Sequence, residues 1–316
     1  MPSEQREVVH EIKVSAPAET VYRIVADVAD WPRVFPPTVH VEHVEHVERG
    51  EREERIRIWA TAGSEVKSWT SRRTLDPGGL RVDFRQEVST PPVAAMSGTW
   101  LIEPLSSGES LVRLLHSYRA VDAAGLTWID EAVDRNSRSE LDALKAHAEL
   151  DPAGADLVCS FEDTVQVAGS ARDLYDFVDQ AHLWPERLPH VDLVRFTEQT
   201  PGLQVLEMDT RSKDGSTHTT KSYRVTFPDR KIVYKQVTLP ALMTLHTGRW
   251  TFRPTADGVA ASSQHTFVVH TANITKVLGP GTTVPDAVQY VRTALSTNSL
   301  ATLNAAKVHA ETRSRG

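Results

Sequence analysis

NSRSELDALKAHAE, residues 136–149, is answered later in the chain by NSLATLNAAKVHAE, residues 298–311. Both stretches read as the end of a long helix, and each closes one copy of a larger pattern. Working outward, Val14, Tyr22, Trp31 and Pro32 recur at one constant spacing as Val167, Tyr175, Trp184 and Pro185. Lys67-Ser68-Trp69 is echoed by Lys221-Ser222-Tyr223, and Ser97-Gly98-Thr99-Trp100 by Thr247-Gly248-Arg249-Trp250. His116 is echoed by His265. A repeat of roughly 150 residues exceeds the 20–50 residues of a solenoid unit, so the chain reads as two related domains.

Each half begins with an alternating strand, here Val8, His10, Ile12 and Val14, followed by a short helix over Ala18 to Ala29 that ends at Asp30-Trp31-Pro32. A meander of strands follows: Arg55 to Trp59, Glu65 to Leu75, Leu80 to Val88, Ala94 to Ile102 and Ser110 to Val121. Asp76-Pro77-Gly78-Gly79 is a hairpin turn between two of them. The half closes on a helix from Leu126 to Leu150, and the second half on one from Val284 to His309. An antiparallel sheet that hides one face by curling around one long helix satisfies this order. The expected class is α+β: two tandem domains, 1–150 and 155–316, each a curved seven-stranded antiparallel sheet around one long helix with two short helices. The join falls near Asp151-Pro152-Ala153-Gly154.

The chain of 316 residues carries a formal charge of -7, which argues against broad nucleic-acid binding. The N-terminus has no apolar run and no stretch approaches the length of a membrane span. Cys159 is the single cysteine, so a reducing cytosol is the expected setting. There is no Gly-rich phosphate loop, HExxH or CxxC. HVEHVEHVE, residues 40–48, holds His40, His43 and His46, but strand alternation turns His43 away from the other two, so no metal site is expected.

Strand parity selects the residues that face the space between sheet and helix. Trp69, Ser71 and Arg73 share a face, and Trp69 marks it as the inner one. Arg73 is then either a rim residue or a fixed cation suited to an oxyanion. His116 and Tyr118 point inward together, as packed core or as an acid–base group and its neighbour. Asn136 and Glu140 lie one turn apart on the closing helix, on a solvated stripe or at the cavity mouth. Trp31 is a core plug or a lid. In the second copy the same parity gives Tyr223, Val225 and Phe227 the places of Trp69, Ser71 and Arg73, so the arginine is expected to be missing there. His265 stays, Gln236 and His246 are added, and Thr302 replaces Glu140.

At Phe35-Pro36-Pro37-Thr38, Trp69-Thr70-Ser71-Arg72-Arg73, Met96-Ser97-Gly98-x-Trp100 and Arg135-Asn136-Ser137, the chain resembles the aromatase/cyclases of bacterial type II polyketide synthases. These belong to the START-like helix-grip superfamily, and the duplication resembles the di-domain subclass. The resemblance implies first-ring closure between carbons seven and twelve, with dehydration to an aromatic ring, on a poly-β-ketone reduced at the ninth carbon. It implies acyl carrier protein as a partner, with the ketosynthase and ketoreductase of the same synthase, and no cofactor. Arg73 matches the family's cavity arginine and His116 its inner-strand histidine; both are expected to be catalytic. Trp31, Trp69, Ser71, Tyr118, Asn136, Glu140, Tyr223 and His265 are expected to line substrate. The family tyrosine seven residues after the Trp-Pro tryptophan is Thr38 here and Val191 in the second copy, so that role does not transfer. A non-catalytic START-like carrier of a hydrophobic small molecule or lipid is an alternative reading of the same pattern, and a purely structural C-terminal copy is another.

Overall fold

The computed structural model describes residues 4–46, 53–62, 65–150, 157–211, 215 and 217–314. The expected join at 151–154 lies outside them. The chain divides into two compact units, Met1–Asp151 and Pro152–Gly316.

In the first unit, strand β1 (Arg6–Val14) leads into helix α1 (Ala18–Ala26). The helix stops earlier than expected because Asp27 turns extended and its carboxylate caps a short 3₁₀ turn through the Ala29 N–H. Trp31-Pro32 do not end that helix; they start the next, α2 (Trp31–Val34), where a proline lacking N–H is tolerated. Then come β2 (Thr38–His46), β3 (Glu53–Ala62), β4 (Glu65–Asp76), β5 (Arg81–Gln86), β6 (Val93–Ser106) and β7 (Glu109–Ala120). Helix α3 (Ala123–Ala148) closes the unit, capped by the Asp122 side chain. The strand order is β1-β7-β6-β5-β4-β3-β2, all antiparallel.

The second unit repeats this with β8 (Val158–Val167), α4 (Ala171–Asp179), α5 (Trp184–Arg187), β9 (Val191–Thr200), β10 (Leu203–Arg211), β11 (Thr217–Phe227), β12 (Lys231–Thr238), β13 (Met243–Thr255) and β14 (Gly258–Val269). A short α6 (Ile274–Leu278) precedes the closing α7 (Val284–Arg313), which starts with a Thr283–Asp286 capping box. Its sheet order is β8-β14-β13-β12-β11-β10-β9.

Each long helix is apolar where it meets the sheet. Near its C-terminal end α3 packs Leu141 and Leu144 against Val14, Val112 and Leu114; nearer its start, Ile129 and Val133 meet Tyr118. On α7, Leu303, Ala306 and Ala310 join one cluster, and Ala287 and Val291 join another with Met243 and Phe267. Burying each large aliphatic side chain contributes about 1.5–3 kcal/mol, so the two ends are pinned and the middle of each helix is left for polar residues. No helix among the described residues is long and apolar enough to cross a membrane.

Candidate active site

In the first unit Arg73 lies inside, as strand parity requires, and is 2% exposed. Its Nη2 donates to the Val25 carbonyl at 2.7 Å and Nη1 to that of Ala26 at 3.3 Å. The guanidinium stacks 5.0 Å from the Trp31 ring. Directly across the β3–β4 ladder stands Glu54, whose carboxylate pairs with Nη1 at 2.7 Å. Burial lowers the Arg73 pKa to about 10, with Glu54 opposing the shift. The other oxygen of Glu54 lies 2.7 Å from His43. Arg73 is therefore already neutralised.

The other expected residues of this unit spread out. His116 faces inward, 3.4 Å from Ser137 Oγ and edge-on to Phe84, and burial pulls its pKa to about 4. Ser71 is buried but donates to the Arg85 carbonyl. Tyr118 is spent on Asp130 at 2.6 Å, tying the sheet to α3, and burial with that bond raises its pKa to about 12. Trp31 is half-buried, with its indole N–H on the Val25 carbonyl. Trp69 packs over Val28, Ile56 and Ile58. Asn136 is exposed: the helix turns it to solvent, so it does not lean into the cavity. Glu140 is half-buried, and burial pushes its carboxyl up to about 7. Among the described residues no three histidine, cysteine or carboxylate groups gather to hold a metal. His43 bonds Glu54 and His40 sits beside Trp59; the side chain of His46 lies outside the described residues.

The second unit corrects the expectation of a missing arginine. Arg224, not Phe227, is the counterpart of Arg73. Its Nη2 donates to the Val178 carbonyl at 2.7 Å and its guanidinium lies 5.5 Å from the Trp184 ring, repeating the Val25 and Trp31 contacts. Tyr223 points to the opposite face, under Lys221, and Phe227 lies by Arg230 and Lys231 at the end of the strand. Pairing Lys-Ser-Trp with Lys-Ser-Tyr misplaces the strand by three residues, and an odd slip exchanges the two faces. Ser71-x-Arg73 against Ser222-x-Arg224 is the signal that sets the register.

Arg224 lines a cavity enclosing about 790 Å³ of empty space, part of it open to solvent. Leu206, Met208, Trp184 and Trp250 supply apolar wall; Thr210, His218, Thr220 and Asn298 are polar positions on it. Across the β10–β11 ladder from Arg224 stands Gln204, where the first unit has Glu54. Gln204 donates to Asp179 at 2.9 Å and Glu198 at 3.1 Å, while Nη1 of Arg224 is buried with no hydrogen-bond partner. Burial lowers the Arg224 pKa to about 10, opposed chiefly by Asp179. Tyr234, Gln236, His246 and His265 add to the polar lining; Tyr234, Arg224 and Gln204 are not among the residues expected from the sequence.

A family model described as polyketide cyclase / dehydrase and lipid transport matches residues 5–149, and a second model of that description matches 167–290. The chain belongs to the polyketide cyclase/dehydrase family. It is 54% identical over 299 residues to the granaticin polyketide synthase bifunctional cyclase/dehydratase of Streptomyces virginiae, covering 94% of this chain and 97% of that one. It is 47% identical over 312 residues to the actinorhodin polyketide synthase bifunctional cyclase/dehydratase of Streptomyces coelicolor, covering 96% of each. The crystal structure of the di-domain ARO/CYC BexL from the BE-7585A biosynthetic pathway matches with TM-score 0.88 and 64% identity, over 97% of this chain and 99% of that chain. StfQ, a di-domain ARO/CYC from the steffimycin pathway, matches with TM-score 0.88 and 36% identity, over 98% and 100%. This cyclase/dehydratase thus has the helix-grip, two-domain architecture expected of it, and it is an enzyme of that class.

Proposed function

We propose that this cyclase/dehydratase closes the first ring of a ketoreduced poly-β-ketone between carbons seven and twelve and dehydrates it to an aromatic ring. The chain would arrive on acyl carrier protein, from the ketosynthase and ketoreductase of a cytosolic synthase. We assign the reacting pocket to the second unit rather than to Arg73 and His116 of the first. The observation that carries this is the exchange of Glu54 for Gln204: Arg73 has a carboxylate 2.7 Å away, while Arg224 lines the cavity and keeps a buried Nη1 with no hydrogen-bond partner.

Enclosing a flexible polyketone fixes which carbon meets which carbonyl, so orientation supplies much of the rate. Methylenes between two carbonyls are acidic enough for a modest base. Arg224 stays protonated and suits the enolate or the attacked carbonyl oxygen. Tyr234 and His265 line the cavity with His190, His218 and His246, and such groups can move a proton. Loss of water drives the sequence because it ends in aromaticity, and this route calls on no cofactor.

The test is the product profile of a reconstituted minimal synthase with ketoreductase, with and without this protein. Wild type and Arg73→Ala should divert shunt products to the first-ring aromatic compound, and Arg224→Ala should not. A ring closed between other carbons overturns the regiochemistry. Wild type that leaves the profile unchanged while binding a polyketide overturns the reaction and favours a carrier.

A further inference from the structure

The second pocket contains a buried polar chain that the first does not. Tyr234 stands opposite Gly248 as Phe84 stands opposite Gly98, and His246 opposite Phe267 as Met96 opposite Tyr118. Gln236 Oε1 is 2.8 Å from His246 Nδ1, and His246 Nε2 is 3.0 Å from His265 Nδ1. His265 Nε2 is 3.1 Å from Ser263 Oγ, and the Tyr234 hydroxyl is 3.0 Å from His265 Nδ1. The two imidazole planes lie within 22° of each other with centroids 5.3 Å apart, and burial holds both neutral, His265 near 4 and His246 well below its ordinary range.

A neutral imidazole carries one N–H, and this fixes the protons along the chain. With the Gln236 amide oxygen on His246 Nδ1, that nitrogen bears the proton and Nε2 is bare. His265 Nδ1 must then bear a proton, because two bare nitrogens at 3.0 Å would leave both lone pairs unpaired and opposed. His265 Nε2 is bare and accepts from the Ser263 hydroxyl. The Nδ1–H of His265 is shared between His246 Nε2 and the Tyr234 oxygen, which leaves the Tyr234 O–H for the cavity.

We propose that Tyr234 is the catalytic acid of the dehydration, and that Gln236, His246 and Ser263 are positioning residues that keep His265 in the Nδ1–H form behind it. The proposal rests on the second pocket being the reacting one. The ring alcohol departs with the Tyr234 proton as water, and the electron pair of the adjacent C–H bond becomes the carbon–carbon double bond. The proton from that carbon passes to the Tyr234 oxygen, so the residue ends as it began. His265 Nδ1–H donates to that oxygen while it carries charge, and Arg224 takes the neighbouring ketone oxygen, which acidifies the C–H bond. Burial raises the phenol above its ordinary range, so it meets the substrate protonated.

Two measurements decide this. Long-range ¹⁵N–¹H spectra of the full chain, labelled at histidine and without substrate, should show His246 and His265 both as Nδ1–H at neutral pH. Gln236→Leu should return His246 to the Nε2–H form, and Gln236→Glu should keep the wild-type pattern. With the reconstituted synthase, Tyr234→Phe should accumulate the closed but undehydrated alcohol, and Gln236→Leu should slow dehydration by about tenfold while ring closure proceeds. Either histidine as Nε2–H or imidazolium in wild type overturns the proposal, and that reading survives a variant that fails to fold. Tyr234→Phe dehydrating at the wild-type rate overturns it too. Wild type that neither closes nor dehydrates the chain overturns the proposed function itself, whatever the tautomers, and Arg224→Ala that still closes the ring overturns the pocket's assignment.

Discussion

Arg73 and Arg224 share backbone acceptors and an indole shelf, and one cross-strand neighbour separates their chemistry. Glu54 closes on Arg73; Gln204 instead holds Asp179 and Glu198, leaving an arginine N–H free. Removing one partner of a buried ion pair strands the other charge and costs about 3–5 kcal/mol. Glu54→Gln should therefore lower the denaturant-derived stability of the first unit by that amount while product formation persists. Gln204→Glu adds a third carboxylate beside Asp179 and Glu198, and one of the three should close on Arg224. Losing such an oxyanion donor costs about 100-fold or more in turnover, so single-turnover ring closure should fall by that order in folded protein. Closure at the wild-type rate would sink the role given to Arg224.

At the scale of elements, strand register decides what the cavity contains. Thr220 lies two residues before Ser222 as Trp69 lies two before Ser71, so the second copy has a small side chain where the first packs an indole. Gly248 matters for the same reason: a Cβ there would meet the Tyr234 hydroxyl at 2.4 Å and the Gln264 carbonyl at 2.6 Å. Gly98 similarly clears the ring of Phe84. Gly248→Ala should push Tyr234 out of reach of His265 and slow dehydration at least tenfold, checked by product mass and by a crystal structure of the variant. Thr220→Trp should fill the cavity and abolish ring closure without lowering the melting temperature. A variant that still turns over would place the substrate elsewhere. The sequence made the strands, their inner faces in the first copy and both closing helices legible. It hid Arg224, because Lys-Ser-aromatic is a closer string match than Ser-x-Arg, and a string carries no register.

At the scale of the molecule, the two units should respond differently to acid. His265 and His116 are held near 4, below the ordinary value of about 6.5, so their stabilising share is full above 6.5 and lost as pH falls toward 4. For His265 this is on the order of 3 kcal/mol. Glu140 runs the other way: raised to about 7, it favours the folded state more as pH falls from 7 through the ordinary carboxylate range, by a similar order. The first unit sets His116 and His147, both lowered by burial, against Glu140. The second has Thr302 in place of that glutamate; His265 and His309 are joined there by His246, His190 and His218, all lowered by burial, and Asp179, raised by burial, pulls back. Calorimetry from pH 7.5 to 4.5 should show the second unit's transition falling while the first stays nearly level. Parallel transitions would contradict this balance.

The sequence by itself determined the duplication, the helix-grip class, the two closing helices and the inward His116 and His265, because all of these follow from periodicity and repetition along the chain. Only the tertiary structure decided which arginine is free. The reason is that an ion pair forms across a ladder: whether residue 73 meets Glu54 and residue 224 meets Gln204 depends on pairing between strands, which no single strand's pattern contains. The same holds for the protons of His246 and His265, fixed by groups brought together from β12, β13 and β14.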